Sequence, residues 1–122
     1  MILSTVRVAD RTHAAVHGAE GVHLLEASDI GTLLRDAHWR SLAEAALEST
    51  AIAGTTPSAL VPNPRKVLCC GVNYLDHILE MGRTPPDFPT LFGKFADSLV
   101  GDGDDLVLTG TGIERLDWEA EL

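Results

Sequence analysis

Apolar and polar residues alternate through ILSTVRV at positions 2–8, the two-residue period of a strand with one face on a core. The stretch AAVH, the glycine-bounded Gly18-Ala19-Glu20-Gly21 and the stretch VHLLE together predict a hairpin. Ser28 or Asp29 is placed to cap a short helix running through Leu34. Trp39, Leu42, Ala43, Ala46 and Leu47 recur at helical spacing and predict an amphipathic helix from Trp39 to Leu47. Gly54 to Ser58 breaks that pattern, and the prolines of VPNPRK mark a boundary. VLCCGV is a short continuous apolar run, the pattern of a strand buried on both faces. PPDFP at 85–89 must be a loop, and LFGKF, DLVLT and LDWEAEL predict further short strands. These patterns imply an α+β chain. A small α+β domain occupies residues 1–60 and a strand-rich domain begins at residue 61 and runs to 122.

Charge narrows the partners. Eighteen acidic side chains against nine basic give a net charge of −9, which argues against a nucleic-acid surface or an anionic lipid surface. From Gly101 onward there are seven acids and one base, Arg115. Asp102, Asp104 and Asp105 read as a solvated acidic face, and Arg115 and Asp117 as a local pair or as solvated groups. No apolar run approaches the ~18 residues of a membrane span, and MILSTVRVAD lacks the build of a secretory signal. Two adjacent cysteines, Cys69 and Cys70, cannot make a disulfide scaffold; they read as buried small residues of a core strand, and a reducing cytoplasm is expected.

Candidate chemistry concentrates in CCGVNYLDHILEMGR, residues 69–83. A strand runs into Gly71, Asn73 is a good helix N-cap, Asp76 suits the first turn, and Gly82 suits the C-terminal cap. On the short helix between them His77 and Glu80, three residues apart, share a face. A carboxylate beside an imidazole orients the ring and favours its protonated form, as a proton-transferring His requires. The same spacing is also common in ordinary surface pairs. Near the end, Glu119 and Glu121 lie two apart in a predicted strand, so both carboxylates project from one face, their attachment points roughly 6–7 Å apart. Two such charges repel by up to ~3 kcal/mol at an effective dielectric of 20, and a divalent cation between them reverses the sign. Alternatively the pair lies on an exposed face and water screens it. His13, His17, His23 and His38 read as solvated surface positions, and the Gly101-Asp102-Gly103 and Gly110-Thr111-Gly112 runs as turns.

The segments KVLCCGVNYLDHILEMG, PTLFGKFADSLVGDGDDLVL and ERLDWEAEL, in that order, resemble the fumarylacetoacetate hydrolase family over most of residues 62–122. That family includes acylpyruvate hydrolases, oxaloacetate decarboxylases and hydroxymuconate-type isomerases. The resemblance implies a catalytic domain built as a mixed β-roll around a divalent metal, Mg²⁺ or Mn²⁺, with Ca²⁺ also compatible. It implies that Glu119 and Glu121 are metal ligands, that a further acidic ligand lies downstream, and that His77 and Glu80 form the water-activating dyad. Lys94, in the family's F-x-K strand, is expected at the substrate cavity or else as a strand-edge lysine. Many relatives carry Lys-Pro there, whereas this chain has Lys94-Phe95.

The function so implied is metal-dependent hydrolysis of a C–C bond in a small 2-oxo or 1,3-dioxo acid, acylpyruvate-like, with a homodimer expected for the full-length form. An isomerase, hydratase or decarboxylase of the same family is the neighbouring expectation. A third is a non-catalytic fragment or interaction module, because the sequence stops within the E-x-E strand and is expected to be the N-terminal part of a longer protein.

Overall fold

The computed structural model describes residues 1–108, 110, 112 and 115–117. The chain divides into two compact units: Met1–Pro64 with Ala96–Asp104, and Arg65–Phe95 with the residues from Asp105 onward.

In the first unit, the alternation of positions 2–8 forms strand β1 (Ile2–Val8), which pairs antiparallel with β2 (Arg11–Gly18). The two-residue turn between them puts Ala9 at φ 51°, in the left-handed region that such tight hairpin turns require. A second two-residue turn, Ala19-Glu20, leads to β3 (Gly21–Leu24) and closes the hairpin expected there. Asp29, rather than Ser28, caps helix α1 (Ile30–Leu33): its Oδ1 accepts from the Thr32 amide at 2.8 Å and its Oδ2 from the Thr32 hydroxyl at 2.9 Å. Helix α2 (Trp39–Ala46) follows the predicted period. The expected break at 54–58 contains a two-residue strand, β4 (Thr56–Pro57), which pairs with β1 through Val6 and Arg7. The sheet order is β3-β2-β1-β4. Its core gathers Ala14, Val16, Leu25, Ile30, Leu33 and Ala43, with Leu3 and Trp39 packed against them. Periodicity explains the choice: β2 turns small apolar residues inward, and α1 and α2 each bring one apolar stripe.

Two solvated assignments are corrected here. His23 is 3% exposed, lies against Gly18, and has its Nδ1 3.0 Å from the Ser49 carbonyl. The strand alternation that carries Val16 inward carries its partner His23 inward too. Asp104 is not a merely solvated acid. It makes a two-pronged ion pair with Arg7, Nη1 and Nη2 donating to Oδ1 and Oδ2 at 2.8 Å each. The hydrogen bond from Arg7, followed by that from the Gly101 amide, holds the Asp104 carboxyl below its usual range.

The second unit contains β5 (Val67–Gly71), α3 (Leu75–Glu80) and β6 (Thr90–Lys94), with β5 and β6 forming a two-stranded antiparallel sheet. The 85–89 stretch is a loop, as predicted. The α+β class therefore stands, and every described strand pairing is antiparallel. Several expectations fail. β5 is not buried on both faces: Leu68 is 73% exposed, and Cys69 and Cys70 are half-buried free thiols. An apolar run specifies burial only when other layers cover it, and a two-stranded sheet supplies none of its own. The DLVLT strand does not form across 105–108, and Thr109 lies outside the described residues. Most of LDWEAEL, with Glu119 and Glu121, also lies outside them.

Candidate functional site

Helix α3 carries the candidate chemistry. Its N-cap position is Tyr74, not Asn73, and Tyr74 makes no side-chain capping bond. The shift by one residue follows from the backbone ahead of it. Val72 adopts φ 56°, so the chain turns sharply between β5 and the helix before the first helical residue. A β-branched residue in that region is strained, at a cost on the order of 1–3 kcal/mol. Asp76 sits in the first turn as expected. The far end is closed by Gly82 at φ 68°: its amide donates to the Leu79 carbonyl at 2.9 Å, and the Arg83 amide reaches back to Ile78 at 3.1 Å.

Between those ends the structure brings His77 and Glu80 together. The imidazole Nδ1 lies 3.7 Å from Glu80 Oε2, an ion-pair distance too long for a hydrogen bond. Their side chains are 50% and 82% exposed, so water screens the pair and its contribution to stability stays under about 1 kcal/mol. In this arrangement the Nδ1 edge of the ring faces the carboxylate. With Nδ1 turned to the carboxylate, Nε2 is the ring nitrogen turned away from it, available for proton exchange.

Buried Ile78 is the opposite side of the same helix. It and Leu75 line a pocket of about 310 Å³ shared with Val72, Asn73, Asp87 and Thr90. His77 and Glu80 are not among the residues lining it, nor is Lys94. Lys94 is exposed at the end of β6, opposite Val67, with Nζ 5.8 Å from the Phe92 ring centroid. Among the described residues no three His, Cys, Asp or Glu side chains gather to hold a metal. The two proposed metal ligands, Glu119 and Glu121, lie outside those residues.

Sequence reasoning missed the strained Val72 and the Asp87–Thr90 wall of the pocket. For Val72 the flanking Gly71 and Asn73 are both better suited to a positive φ, so composition pointed to its neighbours. For the wall, the proline-rich PPDFP announced a loop without saying what it folds over.

Comparison with known proteins adds a second line of evidence. Residues 66–122 match the family model described as fumarylacetoacetate (FAA) hydrolase C-terminal. A Xenopus laevis protein named oxaloacetate tautomerase fahd2, mitochondrial, is 44% identical over 64 residues, 52% of this chain and 20% of the relative. The human oxaloacetate tautomerase FAHD2A, mitochondrial, is 47% identical over 64 residues, with the same coverage of both chains. The Pongo abelii fumarylacetoacetate hydrolase domain-containing protein 2 is 45% identical over 64 residues. The chain thus spans about a fifth of the length of these curated relatives.

Proposed function

The chain belongs, through residues 66–122, to the fumarylacetoacetate hydrolase family, and on that premise we propose that the protein is an enzyme acting on a small 2-oxo acid. The reaction best supported is keto–enol tautomerisation of a 2-oxo dicarboxylic acid such as oxaloacetate. The observation that carries this reading is the 44–47% identity, over half the chain, to proteins named oxaloacetate tautomerases. The stretch matched by the family model, residues 66–122, holds the His77–Glu80 pair. Tautomerisation moves one proton: it leaves the carbon beside the carbonyl, and another is delivered to the carbonyl oxygen. His77 is the group of α3 suited to that transfer, through Nε2, with the Glu80 carboxylate 3.7 Å from Nδ1.

C–C bond hydrolysis, the expectation drawn from the family resemblance, passes through the same kind of enolate and is the second reading. A third reading is that this chain is a non-catalytic fragment or interaction module. A divalent cation on Glu119 and Glu121 belongs to the proposal, as does a homodimer; such a cation would polarise the substrate's oxo group and stabilise developing enolate charge. Among the described residues no group of three or more His, Cys, Asp or Glu side chains gathers to hold it. Cys69 and Cys70 are both free thiols, which suits a reducing compartment: the cytoplasm, or the interior of the organelle named for the relatives.

The test is spectrophotometric. Enol absorbance of oxaloacetate would be followed with Mg²⁺ present, for the chain and for any longer protein containing it, with product analysis for pyruvate. Faster enol decay without pyruvate, lost in His77→Ala, supports the tautomerase. Pyruvate release indicates decarboxylation, and cleavage of an acylpyruvate probe indicates the hydrolase. Full activity in His77→Ala would sink the role given to that residue. Activity confined to the longer protein would support the fragment reading of this chain.

A further inference from the structure

The polypeptide leaves the first unit at Pro64, builds β5, α3 and β6, and re-enters the first unit at Ala96. The paired base of the excursion, Val67 opposite Lys94, lies only a few residues from both crossing points. The excursion has a thin core of its own. Among its described residues only Ile78 is buried, and all of β6 is exposed. A two-stranded ribbon of this kind is marginal in water. Anchoring of its ends on the first unit would add to what the described ribbon supplies by itself.

The returning segment 96–104 is held by a specific set of contacts. Arg7, on β1, donates both terminal nitrogens to the Asp104 carboxylate at 2.8 Å, and its Nη1 also reaches the Pro57 carbonyl at 2.7 Å. The same carboxylate accepts from the Gly101 amide at 2.7 Å, and the Asp104 amide donates to the Gly101 carbonyl at 3.2 Å. Gly101 is buried against the Ser58 backbone so closely that a Cβ there would lie 2.8 Å from it. A planar guanidinium meeting a carboxylate in this two-pronged manner fixes orientation as well as distance.

We infer that the Arg7–Asp104 pair is a clasp that limits the mobility of the excursion bearing His77 and Glu80, by anchoring its downstream end on the same unit that anchors its upstream end. The physics is loop closure. Two strands whose outer ends are free must find each other at an entropic cost that grows with the logarithm of the intervening length. Ends already fixed on one body have met much of that cost. The clasp is part-exposed and ionic, so salt weakens it. This inference adds to the enzyme reading without resting on it, because its readout needs no turnover.

The experiment is residue-resolved amide exchange on the millisecond-to-minute scale. It compares the unmodified chain with Arg7→Gln, Asp104→Asn, and the double exchange Arg7→Asp with Asp104→Arg. The expected result is exchange about three- to thirtyfold faster across Val67–Gly71 and Thr90–Lys94 in each single variant. The double exchange is expected to recover at least part of the loss, while Ala14–Val16 in β2 stays as in the unmodified chain. Acceleration at Asp104 alone, with β5 and β6 unchanged, would overturn the inference. Should the single variants also loosen β2, salt titration of the unmodified chain decides. Raising ionic strength from 0.1 to 1 M shortens the screening length from about 10 to about 3 Å. It must then speed exchange in β5 and β6 but not in β2, and a flat response overturns the clasp.

Discussion

Thr5 is 1% exposed, and its hydroxyl serves two elements at once: it donates to the Leu60 carbonyl at 2.6 Å and accepts from the Ile30 amide at 3.0 Å. It thereby ties β1 to the start of α1. Thr5→Val keeps the shape and removes both bonds, leaving a buried amide without its partner. We expect a loss of about 2 kcal/mol by urea denaturation, and less for Thr5→Ser, which retains the hydroxyl. Asp29 makes a second residue-scale prediction. Burial, its largest single influence, pushes the carboxyl up, but hydrogen bonds from Ser28, the Thr32 amide and hydroxyl, and the Gly31 amide together bring it below the ordinary range. A carboxyl depressed in the folded state stabilises fully above its unfolded value, near 3.9, and loses that contribution as pH falls through the folded value. Asp29→Ala should therefore cost about 1 kcal/mol at neutral pH. The gap between variant and parent should narrow as the pH of the urea titration is lowered below about 4.

At the scale of elements, α3 is too short to persist on its own, so its ends matter more than its interior. Gly82 is at φ 68° with open space where a Cβ would go, so Gly82→Ala adds backbone strain without a clash. The expected cost is about 1 kcal/mol, read as faster exchange of the Gly82 and Arg83 amides, whose bonds close the helix. An unchanged rate there would show that the closure carries no stability. The elements also show what a sequence can disclose. β1 and α2 were legible because their periods, two and 3.6, are local properties of the chain. β4 was not, because a two-residue strand containing Pro57 exists only through pairing with β1, some fifty positions upstream. Likewise β5 was legible as a strand, but its burial was not, since burial is decided by what packs on it. Within the candidate site, the spacing of His77 and Glu80 correctly put them on one face. The helix start was misplaced by one residue, because no local rule favours a positive φ at Val72.

For the molecule as a whole, the two units differ in what holds them. The first has a four-stranded sheet, two helices and a cluster of buried side chains, while the second rests on a two-stranded sheet and one buried isoleucine among its described residues. Hydrophobic burial contributes roughly 25 cal/mol per Å². Leu68, Leu91, Phe88 and Phe95, between 67% and 85% exposed, therefore add little to the second unit. Such regions open with a free energy far below that of the cooperative core. We expect urea to remove the protection of β5, α3 and β6 well before that of β1 and β2, in two separate transitions followed by amide exchange. The order follows from the fewer buried side chains among the described residues of the second unit, and one coincident transition would contradict it. The clasp sets how far apart the transitions lie. It belongs to the stable unit but restrains the weak one, so Asp104→Asn should move the first transition to lower urea and leave the second nearly in place. Asp104 is held below its usual carboxyl range by Arg7, so protonating it should act in the same direction. Acidification below about pH 4 should lower the first transition in the parent chain more than in Asp104→Asn, which has no carboxylate there to protonate.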